Sequence, residues 1–153
     1  MQVTVAAMAE EHVAALAELE RLCFADPWSE AALAEELHNP CAAFLVAQCD
    51  GRVVGYVGCH HIAGEGYITN VAVHPDCRRQ GVARQLLTEA LSRWQGLSRV
   101  TLEVRVSNAG AIALYEGLGF VCEGIRPRFY AHPTEDAAIY SYYEVNQREH
   151  TGH

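Results

Sequence analysis

The spacing of the hydrophobic residues changes twice along the middle of the chain, from alternation to a helical stripe and back, and few folds accommodate that order. Ala43 to Gln48 and Arg52 to Ile62 are apolar segments of strand length, divided by Asp50-Gly51. Both positions of that pair tolerate positive φ, so it predicts a hairpin. Gly64-Glu65-Gly66 predicts a further turn, and Tyr67 to Val73 another strand. From Val82 to Trp94, the residues Ala83, Leu86, Leu87, Ala90, Leu91 and Trp94 fall on one side of a helix, which Gly96 stops. Val100, Leu102, Val104 and Val106 then alternate with Thr101, Glu103 and Arg105, a strand with one apolar face.

The flanks add simpler signals. Gln2 to Ala6 alternates as a short strand. Ala9 to Cys23 predicts an amphipathic helix with Val13, Leu16, Leu19 and Leu22 inward. Pro27-Trp28-Ser29 opens a second helix, capped by Ser29, with Leu33 and Leu37 inward and Asn39-Pro40 at its end. Ser107 or Asn108 caps a last helix running to Leu118, and Phe120 to Arg128 and Ala137 to Val145 close the chain as strands around a turn-rich loop. The predicted class is α/β (α+β) with a mixed sheet and helices against its faces. With 153 residues and no linker or repeat, the reading is one domain over 1–146 and a loose tail over 147–153.

Formal charge is −8, from 19 acidic and 11 basic residues. That argues against nucleic acid as the direct ligand, since phosphate binding is led by clustered Lys and Arg, and it suits a cationic partner. Apolar runs such as Ala42 to Ala47 fall far short of the roughly 20 residues of a membrane span. The start, Met1-Gln2-Val3-Thr4-Val5, lacks the pattern of a signal peptide, so a cytoplasmic protein is expected. Cys23, Cys41, Cys49, Cys59, Cys77 and Cys122 form no C-x-x-C pair and have no histidine at zinc spacing, which predicts reduced, mostly buried thiols and no metal. His60 and His61 are strand neighbours on opposite faces and do not share a metal.

Arg78-Arg79-Gln80-Gly81-Val82-Ala83-Arg84 lies between a strand and a helix. Small residues at 81 and 83 let the backbone approach a ligand. The first N–H groups of a helix have no internal partner and carry about half a positive charge, which suits a pyrophosphate. Three arginines at that end oppose the helix dipole unless an anion joins them. Neither G-x-x-x-x-G-K-[ST] nor G-x-G-x-x-G is present. A glycine-marked loop with a basic helix start is the other reading.

With Asn70-Val71-Ala72-Val73-His74-Pro75 before it, this segment resembles the acetyl-CoA motif of the GCN5-related N-acetyltransferases (GNAT). Arg78, Gly81 and Ala83 fill the pattern [QR]-x-x-G-x-[GA]. Phe24 with Pro27-Trp28-Ser29, Leu102 to Asn108, Ala111 to Phe120, Phe129-Tyr130 and Glu135-Asp136-Ala137 extend the likeness over nearly the whole chain. They make it most similar to the bacterial ribosomal-protein alanine N-acetyltransferases (RimI type). The resemblance implies the GNAT fold, a central, largely antiparallel sheet with helices on both faces. It implies acetyl-CoA as co-substrate, held by the backbone of Val71, Ala72 and Val73 along its arm and by the amides of Arg79, Gln80, Gly81, Val82, Ala83 and Arg84 at its pyrophosphate. Arg78 stands where close relatives have glutamine. Asn108 inherits a contact with the arm, although a plain helix cap also accounts for it.

The resemblance further implies that Glu103 is the general base toward an acceptor amine and Tyr115 the general acid for the departing thiolate. From the residues alone, Glu103 reads as a solvated or salt-bridged strand glutamate, and Tyr115 as a packed core tyrosine on a stripe with Ala111, Leu114 and Leu118. The implied acceptor is the basic N-terminus of a small-subunit ribosomal protein, acetylated at alanine by direct attack. Phe129, Tyr130, Tyr140, Tyr142 and Tyr143, with Glu135 and Asp136, mark the region where it is expected to bind. Two alternatives stay open: a lysine or small-molecule amine acetyltransferase, and an acetyl-CoA-binding module without turnover.

Overall fold

A computed structural model describes residues 2–143; the expected tail over 147–153 and the expected strand end at Val145 lie outside the described residues. Strand β1 (Thr4–Ala7) leads through a 3-10 turn at Glu10–His12 into helices α1 (Val13–Cys23) and α2 (Glu30–Glu36). Strands β2 (Ala42–Cys49), β3 (Arg52–Ile62) and β4 (Glu65–Val73) follow, then α3 (Val82–Arg93), β5 (Arg99–Arg105), α4 (Ala109–Gly117), β6 (Val121–Ala131) and β7 (Thr134–Tyr143). The strand order is β1-β2-β3-β4-β5-β7-β6. β1–β2, β2–β3, β5–β7 and β6–β7 pair antiparallel, and β4–β5 parallel. This is the mixed sheet that the order of elements predicts, largely antiparallel as the family resemblance implies.

The described residues divide into two compact units, one of residues 2–61 with Ile68–Gln95, the other of Ile62–Tyr67 with residues 96–143. In the first, Asp50 and Gly51 sit at φ 53° and 77° and turn β2 into β3. Ser29 caps α2 by accepting from the Ala32 N–H at 3.1 Å. α1 departs from the expected stripe. Val13, Leu16 and Leu19 face inward as expected, with Ala17 and Glu20, while Leu22 is 51% exposed. A spacing of three drifts by about 60° per step on a helix, so Leu22 ends about 180° from Val13. The inward residues of α1, except Glu20, join Leu33, Phe44, Val46, Tyr56 and Ala72 in one apolar core.

α3 covers the other face of the same strands. A Cβ on Gly55 would lie 2.9 Å from the Ala72 carbonyl and 3.2 Å from the Leu86 and Val82 side chains, so glycine is what lets α3 approach. From α3, Gln85 and Arg93 donate to the carbonyls of Val3 (2.9 Å) and Val5 (3.1 Å), which occupies acceptors that an edge strand otherwise leaves open.

In the second unit the turn before β4 is Ala63-Gly64, at φ 54° and 78°, one residue earlier than Gly64-Glu65-Gly66. Glu65 and Gly66 are already strand, paired with Arg99 and Val100 of β5. The turn-rich loop expected between Arg128 and Ala137 is also mostly strand. Arg128, at φ 52°, donates its N–H to Asp136 Oδ1 at 2.9 Å. That bulge absorbs the irregularity, and pairing resumes at Tyr130 with Glu135. None of the six cysteines, all among the described residues, is in a disulfide, but only Cys59 and Cys77 are buried, so the expectation of mostly buried thiols does not hold.

Candidate active site

In the first unit β4 presents Val71, Ala72 and Val73 in sequence, Ala72 buried and its neighbours half-buried. The Val73 carbonyl accepts from Cys23 Sγ and from Arg78 Nε, each at 3.4 Å, and an Arg78 amino nitrogen lies 3.6 Å from Cys23 Sγ. Arg78 is therefore engaged by the strand before the loop. The chain then passes through a 3-10 turn at Pro75–Cys77, whose first N–H donors include that of Asp76 to His74 Nδ1 at 3.1 Å.

Arg79 and Gly81 both adopt left-handed backbone, at φ 63° and 80°. For arginine that conformation is uncommon. α3 begins at Val82 with Gly81 as an N-cap that offers no side chain, and its first ladder bond runs from Gln85 N–H to the Gly81 carbonyl at 3.0 Å. The N–H groups of Val82, Ala83 and Arg84 precede that bond and so have no partner within the helix. A Cβ built on Gly81 meets nothing within 4 Å, so the turn opens onto free space. Arg79, Gln80 and Arg84 are exposed, and Val82 contributes only its backbone, since its side chain is in the core. Uncapped amides, an open glycine and exposed arginines fit the pyrophosphate of acetyl-CoA.

The second unit carries Glu103, Tyr115 and Asn108. Thr101, Glu103 and Arg105 share one face of β5, and each is paired. Thr101 Oγ1 is 2.9 Å from Ser141 Oγ, and Arg105 is 3.1 Å from Glu135 and over the Tyr130 ring at 4.4 Å. The Glu103 side chain is only 5% exposed, with Arg126 Nε 3.7 Å from its Oε1. The Tyr67 hydroxyl donates to its Oε2. Glu103 is thus neither solvated nor fully charge-paired. Burial, with the bond to and the charge of Glu103, pushes the Tyr67 phenol well above its ordinary range, so it stays a donor. Tyr130 is raised by burial and then by the charge of Glu103.

Asn108 caps α4, its Oδ1 accepting from Ala111 N–H at 3.2 Å. Tyr115 is 7% exposed, its ring 5.7 Å from that of Phe120. Burial and then the Tyr130 charge push its hydroxyl up to about 12. Tyr130 thus stands between the two electrostatically: Glu103 raises it, and it in turn raises Tyr115. Of the aromatic cluster, Phe129 is exposed and Tyr130 half-buried, whereas Tyr140 and Tyr142 are core residues. The Tyr140 hydroxyl donates to Glu116 Oε2 at 2.9 Å, and that of Tyr143 to Glu123. Glu135 accepts from Ser107 N–H at 2.7 Å, so it and Asp136 hold the chain's own backbone. Tyr67 is the neighbour that pattern reading passes over. Its contact depends on the parallel pairing of β4 with β5, for which a run of hairpin signals gives no cue.

The profile of the acetyltransferase (GNAT) family matches residues 13–120. The chain belongs to that family. As a member it is an acetyl-CoA-dependent N-acetyltransferase. It is 38% identical over 125 residues to a putative [ribosomal protein bS18]-alanine N-acetyltransferase of Bacillus subtilis strain 168, covering 80% of this chain and 83% of that one. It is 35% identical over 135 residues to the [ribosomal protein bS18]-alanine N-acetyltransferase of Escherichia coli K12, covering 87% and 89%. The crystal structure of the ribosomal-protein-S18-alanine N-acetyltransferase of Escherichia coli superposes with a TM-score of 0.86 at 32% identity, over 93% of this chain and 94% of the other. Family membership also fixes the class of the fold. Among the described residues no group of His, Cys, Asp and Glu could hold a metal ion, and no helix is long and apolar enough to cross a membrane.

Proposed function

We propose that this chain acetylates the α-amine of an N-terminal alanine on a small-subunit ribosomal protein, working in the cytoplasm as a single N-acetyltransferase domain over residues 1–146. The observation that carries the reading is the state of Glu103, a nearly covered carboxylate with one oxygen held by a neutral donor and the other 3.7 Å from an exposed cation. The names of the relatives, matched over 80% or more of this chain, support the choice of acceptor.

Bound acetyl-CoA supplies a thioester carbonyl for the amine and a thiolate that leaves. The amides of Arg79 to Arg84 bind its pyrophosphate, the backbone of Val71 to Val73 aligns its arm, and the Asn108 amide group, beyond capping α4, offers its N–H to that arm. Glu103 takes the proton from the acceptor ammonium. A terminal amine, with a pKa near 7.8 against about 10.4 for lysine, is easier to deprotonate by about 3.5 kcal/mol, which one carboxylate can manage near neutral pH. Tyr115 serves the leaving thiolate. With its hydroxyl at about 12 and a thiol near 8.5, it acts as a hydrogen-bond donor whose bond strengthens as charge develops on sulfur.

The test is mass spectrometry of ribosomal proteins from cells with and without the gene. Loss of one N-terminal alanine acetylation is the expected result; unchanged N-termini with lost lysine acetylation would contradict it.

A further inference from the structure

The two contacts of Glu103 differ in kind. Tyr67 approaches Oε2 from the start of β4, where its pairing with Thr101 sets it diagonally across from Glu103 on the same face. Arg126 reaches toward Oε1 from β6 at 3.7 Å, beyond hydrogen-bond distance, with a side chain 57% exposed and its guanidinium 5.9 Å from the Phe129 ring. One contact is a short-range bond from a half-covered phenol; the other is loose and open to water. A carboxylate turns freely about its last torsion unless something fixes one oxygen. Here Oε2 is fixed and Oε1 is not.

We propose that Tyr67 is a positioning residue for Glu103, fixing Oε2 by its hydroxyl so that Oε1 is the oxygen that receives the proton of the acceptor amine. Tyr67 keeps its own proton throughout: the proton leaves the ammonium nitrogen, the new O–H bond forms at Oε1, and the freed nitrogen lone pair is then available for attack. Arg126 neutralises Oε1 before the acceptor arrives, and its loose contact is the one that yields. The inference rests on the reading of Glu103 as base.

The experiment is a cycle of Tyr67→Phe, Glu103→Gln and the double variant, with kcat and both KM values measured on an alanine-initiated peptide. Tyr67 is 39% exposed and the variant keeps its ring, so folding is not at stake; melting curves check it. Tyr67→Phe should lower kcat about ten- to hundredfold, the usual worth of a hydrogen bond to a charged group, with KM for acetyl-CoA unchanged. In the Glu103→Gln background, where no base remains to be positioned, the same change should cost nothing further. Wild-type activity in Tyr67→Phe, or a full-sized loss repeated in the double variant, would overturn the positioning role and leave Glu103 as base. Full activity in Glu103→Gln would instead overturn the base reading, and this role with it.

Discussion

Tyr56 donates its hydroxyl to Glu20 Oε2 at 2.7 Å, inside the core of the first unit, where Glu20 is 1% exposed. Asn70 Nδ2 reaches the same oxygen at 3.3 Å, and the Trp28 N–H reaches Oε1 at 2.8 Å. One carboxylate thus ties α1 to β3, to β4 just before Val71, and to the segment that opens α2. Glu20→Ala leaves two buried donors and one half-buried donor without this acceptor and should destabilise the fold by about 3–5 kcal/mol, the range for breaking a buried charged network. Tyr56→Phe removes one of the three donors and should cost about 1.5–3 kcal/mol. Urea denaturation of both variants checks the order, and equal losses would mean that the network is not centred on Glu20.

That network also shows where pattern reading stops. The helices, the Asp50-Gly51 hairpin and the Ser29 and Asn108 caps follow from local chemistry, and so they were legible in the sequence. Glu20 was not, because a charged residue at an inward position breaks the apolar stripe that reveals it. Tyr67 was not, because a parallel pairing joins residues far apart in sequence. Glu103 and Tyr115 were legible only through the family likeness; alternation alone left each with a structural alternative, and their surroundings required the fold.

Gly81 and Gly51 offer a matched pair that tests the proposed pyrophosphate loop. Both have φ near 80°, and a Cβ on either meets nothing within 4 Å. Alanine at each should therefore carry the same left-handed backbone penalty, about 1–2 kcal/mol. Only Gly81→Ala should also weaken acetyl-CoA binding, since its Cβ would enter the open space proposed for the phosphate. Calorimetric titration separates the two; equal affinities in both variants would reduce the loop to a turn.

His61 makes stability depend on pH. Burial and then His60 lower its pKa from 6.5, its Nε2 is buried without a partner, and its ring meets Trp94 edge-on at 5.4 Å. A base held neutral in the fold binds fewer protons than in the unfolded chain, so its contribution is full above about pH 6.5 and is lost as pH falls toward the folded value. The melting temperature should drop from pH 7 to pH 5, and His61→Phe, which keeps a ring against Trp94, should flatten part of that drop. An unchanged slope would assign the acid sensitivity elsewhere.

Tyr115→Phe separates packing from chemistry. The ring contact with Phe120, at 5.7 Å between centroids, survives the change. Stability should hold while kcat falls about 10²-fold, with KM for acetyl-CoA little altered. Wild-type turnover in this variant would leave Tyr115 as a core residue.

The chemistry of the acceptor is tested most directly by two peptides given to the enzyme with acetyl-CoA. One copies a basic N-terminus beginning with a free alanine; the other has a blocked terminus and an internal lysine. Rates measured across pH, with mass spectrometry locating the acetyl group, should put it on the alanine α-amine. Glu103→Gln should be slower by about 10² to 10⁴, with a defect that shrinks as pH rises and the amine loses its proton unaided. Faster acetylation of the blocked, lysine-containing peptide would contradict an N-terminal acetyltransferase and make lysine the acceptor.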